Sequence, residues 1–157
     1  MDMFRSLDAL DAISLSGTKK EGWYIDEARQ AMDNGSILYA GKYSAPDYEQ
    51  ILDTGCNLSI QSTMIYHSPE IKENLEKFGI PVLVDHSSYE THPLGRTEWV
   101  KLYGVLEGKE DVAEQVFAEQ KDAVAVASDG ENTGKTVAFF YITSNGSVNV
   151  RKSGDYV

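Results

Sequence analysis

Gly79 to Glu110 reads GIPVLVDHSSYETHPLGRTEWVKLYGVLEGKE, and the fold is decided there. Ile80 to Val84 is apolar at almost every position, the composition of a strand covered on both faces. The run gives way to a polar loop with His86, Tyr89, Glu90, His92 and Arg96. A helix is expected from near Thr97, covering Glu98 to Leu106. Polar side chains gathered just past the carboxyl end of a parallel strand are how an open α/β sheet builds a ligand crevice.

Upstream of this stretch, Pro69 to Phe78 (PEIKENLEKF) is amphipathic, capped by Ser68 and closed by Gly79. Leu58 to Gln61 reads as a strand and Ser62 to Ser68 as its loop. Pro46 to Leu52 is expected to be a short helix capped by Ala45 or Ser44, with Pro46 near its first position. Ile37 to Ala40 forms a strand ending at Gly41. Trp23 to Met32 is a helix stopped by Asn34 and Gly35. Phe4 to Ala12 is another, with Phe4, Leu7, Leu10 and Ile13 at helical spacing.

Downstream, a longer helix runs from about Glu110 to Ala127. Thr136 to Thr143 and Ser147 to Arg151 flank Ser144-Asn145-Gly146, a hairpin signal in which Asn-Gly supplies positive φ. Strands alternating with helices predict an α/β fold, a three-layer α/β/α sandwich with a mainly parallel sheet, a Rossmann-like lobe. The long helix and the β-hairpin follow it. The hairpin's first strand is apolar enough to need cover on both faces, yet the sequence ends at Val157 before any helix could supply it. The carboxyl end is therefore expected to be cut.

Composition narrows the function. The 157 residues are 41% hydrophobic and 25% charged, as in a folded domain with a proper core. The formal charge is -11 and no Lys/Arg run exceeds Lys19-Lys20, so nucleic acid and anionic membrane are poor partners. Cys56 is the single cysteine. Between a helix and a strand it reads as a small buried hydrophobe, and no disulfide framework is possible. No apolar run reaches bilayer length. No signal segment with a lipid-anchor cysteine opens the chain, which reads as already trimmed.

The stretch at 79–110 resembles the substrate-binding proteins of ABC importers for iron-siderophore, haem and cobalamin-type ligands. In that family a "GIPV" strand, a ligand-side loop and a "GR-EW-K-GVL-GKE" helix occur in this order. Family members have two α/β lobes joined by one long, fairly rigid helix, with the ligand between them. The resemblance implies an N-terminal α/β lobe at 1–108, a linking helix at 109–128, and the hairpin start of a truncated second lobe at 129–157. It implies a non-catalytic, monomeric, extracytoplasmic protein, periplasmic or lipid-anchored at the cell surface, with no resident cofactor. Its partners would be a small-molecule ligand (an iron-siderophore, haem or cobamide) and an ABC permease in the membrane.

Three loops would face the ligand: Lys42 to Pro46, Thr63 to His67, and His86 to Arg96. The ligand-binding residues implied are Tyr43, Tyr66, His67, Tyr89 and Arg96. Tyrosine faces pack against macrocycles and a phenolate can ligate ferric iron. An arginine fork holds carboxylates or haem propionates. The family docks on permease arginines through an exposed glutamate on each lobe; Glu70 matches by position, with Glu73 as the fallback.

Other chemistry is weaker. Asp85, His86, Glu90 and His92, joined by His67, offer zinc or manganese ligands without fixed motif spacing, so a divalent-metal carrier of similar architecture is an alternative. A stand-alone, non-catalytic interaction domain is another, disfavoured by the apolar Val137, Phe139 and Tyr141. Gly130 to Thr136 (GENTGKT) imitates a phosphate loop, but its glycines stand too close and a strand, not a helix, follows. No nucleophile stands beside His67 or His86, so catalysis is not expected.

Overall fold

The computed structural model describes residues 1–131 and 134–151. Helix α1 (Asp2–Ser6) is followed by a 3-10 turn at Leu10–Ala12 and strand β1 (Leu15–Ser16). A second 3-10 turn, Lys20–Gly22, leads to α2 (Asp26–Asp33), β2 (Leu38–Tyr39), β3 (Gly41–Lys42), β4 (Ala45–Pro46) and α3 (Tyr48–Asp53). Next come β5 (Ser59–Ser62), a 3-10 turn at Thr63–His67, α4 (Pro69–Lys77), β6 (Val82–Asp85) and a 3-10 turn at Ser87–Tyr89. The chain continues through α5 (Pro93–Glu98), α6 (Val100–Glu107), α7 (Glu110–Ser128), β7 (Phe140–Ile142) and β8 (Val148–Val150).

The fold is mixed α/β with small parallel sheets. β1 pairs in parallel with β2, Leu15 opposite Leu38. β5 pairs in parallel with β6, Ser59 opposite Val82 and Ser62 opposite Asp85. These are separate two-stranded sheets; the antiparallel pairs β3–β4 and β7–β8 are two more.

Two apolar clusters bracket the β5–β6 pair. Phe4, Leu7, Ala9, Val100, Tyr103 and Ala113 form one, with Ile60 of β5 against it. Ala40, Ile51, Ile65, Ile71, Leu75 and Ile80 form the other, with Val82 and Val84 of β6 against it. Side chains alternate faces along a strand, so the residue opposite Ile60, Leu83, points away from Val82 and Val84. Helices therefore cover both faces of this pair, α1, α6 and α7 on one and α3 and α4 on the other.

Several expected elements differ in detail. The apolar spacing from Phe4 to Ile13 does not make one helix: it breaks at Asp8, whose φ is 51°. The Lys109 ammonium donates to the carbonyls of Leu7 (3.1 Å) and Asp8 there, an anchor from distant sequence. Pro46 belongs to β4, not to a helix, and α3 is capped by Asp47, whose carboxylate accepts from the Gln50 amide. Strand β1 was not expected, since two residues show no periodicity. At the last hairpin only Gly146 takes positive φ; Asn145 does not. Ser68 caps α4 by position without a side-chain hydrogen bond.

The long helix α7 matches its expected bounds within a residue or two. Its first half packs on α6, burying Ala113, while residues beyond Phe117 are mostly exposed. Both strands of the β7–β8 hairpin are exposed throughout. Residues 152–157, and Asn132 and Thr133 of the GENTGKT segment, lie outside the described residues.

Candidate functional site

The parallel register of β5 and β6 ends both strands at the same level, Ser62 beside Asp85. Each strand then turns at once into a 3-10 segment, so two polar turns stand side by side beyond one sheet end. The first is capped by Ser62, whose hydroxyl accepts from the Met64 amide at 3.4 Å. It buries Ile65 and turns Tyr66 and His67 outward. The second begins at His86 and presents Tyr89, 69% exposed.

Three rings meet across the gap. The Tyr66 phenolic oxygen lies 3.1 Å from His86 Nε2. The Tyr66 and His86 rings are 6.0 Å apart between centroids, and His86 and Tyr89 are also 6.0 Å apart. The result is an exposed Tyr–His–Tyr row, able to stack on a flat ligand, donate or accept hydrogen bonds, and ligate a metal carried by that ligand.

The loop beneath this row is held by its neighbours. Asp85 closes β6 with one carboxylate oxygen accepting from the Ser87 amide at 2.6 Å and the other from the Tyr103 hydroxyl at 2.5 Å. Burial alone would raise the Asp85 carboxyl; the bonds from Ser87 and Tyr103 outweigh it and keep the group below the ordinary carboxylate range. Burial and the same carboxylate push the Tyr103 phenol well up. Arg96 donates from Nε to the Ser87 carbonyl (3.4 Å) and from Nη2 to the Ser88 carbonyl (3.1 Å). The Trp99 indole donates to Glu90 at 3.0 Å. His92 caps α5, its Nδ1 accepting from the Leu94 amide at 3.1 Å, and Pro93 occupies the first turn. The helix thus starts four residues before the expected Thr97, for a reason the sequence carried: proline at the first helical position.

Of the five residues assigned to the ligand, the structure brings Tyr66 and Tyr89 together through His86, which that assignment had left out. A histidine directly after a strand's last residue was the available signal. His67 is exposed at the end of its own turn. Tyr43 sits in the two-residue turn joining β3 and β4, and among the described residues no ring contact ties it to the row. Arg96 grips loop carbonyls. Glu70 and Glu73 are exposed on α4. Among the described residues no three His, Cys, Asp or Glu groups converge as metal ligands. Asp85, Glu90 and His92 are each engaged by the partners above. No helix among the described residues is long and apolar enough to cross a membrane.

No protein-family model and no solved structure matches the chain. It is 25% identical over 143 residues to "Uncharacterized lipoprotein MJ0878" of Methanocaldococcus jannaschii, across 88% of this chain. The chain spans about a third of that relative's length, 34%.

Proposed function

We propose that the chain forms one lobe of the substrate-binding component of an ABC importer, capturing a flat or chelating ligand of the iron-siderophore, haem or cobamide type. The observation that carries this reading is the Tyr66–His86–Tyr89 row at the shared end of two parallel strands. A sheet end lined by aromatic and hydrogen-bonding groups suits capture of a flat, polar-edged ligand. The two strand pairs are then parts of one three-layer, Rossmann-like lobe, and α7 is the rigid link to a second lobe that completes the crevice. A single long helix resists bending, so lobe closure is modest. Glu70 or Glu73 docks on the permease. The relative's printed description as a lipoprotein supports a lipid-anchored, extracytoplasmic setting.

The test is native mass spectrometry and ultraviolet-visible titration with ferric siderophores, haemin and cobalamin, on the chain and on a form extended to two lobes. A one-to-one complex is expected, weak on the single lobe, and weakened a further fivefold or so by Tyr66→Phe through loss of one hydrogen-bonding hydroxyl. Failure of all three to bind either form would sink the proposal. Binding of zinc or manganese instead, lost in His67→Ala and His86→Ala, would replace it with a divalent-metal carrier.

A further inference from the structure

We propose that Arg96, Trp99 and Tyr103 form a three-point clamp that presets the loop from His86 to Glu90, and that Arg96 serves the site as a positioning residue rather than a ligand contact. The proposal rests on the capture reading only for what the loop is preset to bind; the clamp itself stands on geometry.

The three side chains recur at intervals of three and four along α5 and α6, which places them on one helical stripe. Trp99 joins the two helices with helical dihedrals (φ -56°, ψ -20°), so the stripe is nearly continuous. Each member takes its own acceptor from the loop or from the strand end that feeds it. Arg96 reaches two successive carbonyls, those of Ser87 and Ser88. Trp99 takes the Glu90 carboxylate. Tyr103 takes Asp85, whose other oxygen holds the Ser87 amide. Between these points the turn closes on itself, the Tyr89 amide donating to the His86 carbonyl at 2.8 Å and the Glu90 amide to Ser87 at 3.3 Å. The exposed rings of His86 and Tyr89 are thus left outside the clamp, while the carbonyls and carboxylates beside them are held.

Gly95 fits the same design. A Cβ at that position would meet the Glu90 carboxylate at 3.0 Å and its Cβ at 3.4 Å, so the loop lies against bare backbone there. Tyr103 is also anchored from below, its ring edge-to-face on Phe4 at 5.2 Å in the core. The loop is therefore tied through Tyr103 directly to the apolar cluster of Phe4, Leu7 and Val100. A recognition loop preset in this way raises the fraction of molecules competent to bind and lowers the ordering cost of capture.

Two conservative variants test this, Tyr103→Phe, which keeps the core ring, and Arg96→Lys, which keeps the charge but loses the fork. Amide hydrogen exchange of the ligand-free protein is read at Ser87, Tyr89 and Glu90 and, for comparison, at Ile60 and Leu75. Each variant is expected to speed exchange at the loop amides about fivefold, the factor one ordinary hydrogen bond represents, leaving Ile60 and Leu75 within twofold. Equal acceleration everywhere, or unprotected loop amides in the parent protein, overturns the clamp. Should Tyr103→Phe fail to fold, Arg96→Lys decides alone. Stopped-flow binding of haemin then separates the roles: a positioning residue lowers the association rate and leaves dissociation within twofold, whereas a ligand contact raises dissociation. If the parent binds no haemin, the haem form of the capture reading falls and the exchange result still judges the clamp.

Discussion

Replacing Gly104 by alanine is expected to destabilise the protein although Gly104 lies inside a helix, where alanine normally gains about 1 kcal/mol over glycine. The reason is the crossing of α6 and α7. A Cβ on Gly104 would stand 2.5 Å from the Ala113 Cβ and 3.2 Å from the Lys109 carbonyl oxygen. Carbon atoms pack at about 3.5–4.0 Å, so the helices must part by about 1 Å. Ala113 is completely buried, and the second neighbour is backbone, so neither can swing away. Overpacking of this kind costs about 1–3 kcal/mol, and the rigid neighbours argue for the upper figure. Setting about 3 against the gain of about 1 leaves a loss of about 2 kcal/mol, or about 4–8 °C in Tm for a protein of this length. Urea melts followed by circular dichroism and tryptophan fluorescence would read it. Ala113→Gly in the same background should restore part of the loss, as a favourable coupling of at least about 0.5 kcal/mol in the double-mutant cycle. An unchanged or raised Tm in Gly104→Ala alone would refute the close crossing, and with it the register of α7 on α6.

Two further expectations are independent of that contact. Gly41→Ala should cost more than about 2 kcal/mol, because the left-handed φ of +84° is strained for alanine and its Cβ would collide with the Ala45 carbonyl oxygen. Gly35→Ala, at φ +80° with open space around it, should cost only the conformational share, about 1–2 kcal/mol; equal losses in thermal melts would deny the tight β3–β4 turn. Asp85 titrates below its unfolded value of 3.8 in the folded state, so its stabilisation is complete above that pH and is lost as pH falls through the folded value. Asp85→Asn should accordingly flatten the fall in unfolding free energy between pH 5 and pH 2, and parallel curves for the two proteins would contradict the Ser87 and Tyr103 bonds.

How far the sequence could be read depended on whether the deciding contact was local. Helix α4 was legible because its signals adjoin it: Ser68 and Pro69 at the start, Gly79 (φ 80°) just past the end. β6 was legible because a continuous apolar run needs no knowledge of its partner. β1 was invisible, since Leu15 and Ser16 are a strand only by virtue of Leu38 and Tyr39. The break at Asp8 was hidden for a similar reason. The spacing of Phe4, Leu7 and Leu10 survives because all three face one cluster, while Lys109, a hundred residues away, satisfies the carbonyls the break exposes. Glycines carried more than their spacing suggests: Gly104 allows the helix crossing and Gly108, in the left-handed conformation, ends α6.

The candidate site divides along the same line. Tyr66 and Tyr89 follow strand ends by a few residues, so their place above the sheet could be read from position alone. The acceptors of Arg96 could not. A guanidinium in a ligand-side loop has the right chemistry for a carboxylate, yet a 3-10 turn offers it two carbonyls, those of Ser87 and Ser88, before any ligand arrives. The turn exists because Asp85 holds the Ser87 amide, and Tyr103 orients Asp85 by donating to it from the helix. Residue type supplied the charge, and tertiary geometry supplied its acceptor. The same logic predicts which substitution spares the loop: Tyr89, gripped by its amide and not by its hydroxyl, should accept phenylalanine with the loop unmoved, while Tyr103, whose hydroxyl holds Asp85, should not.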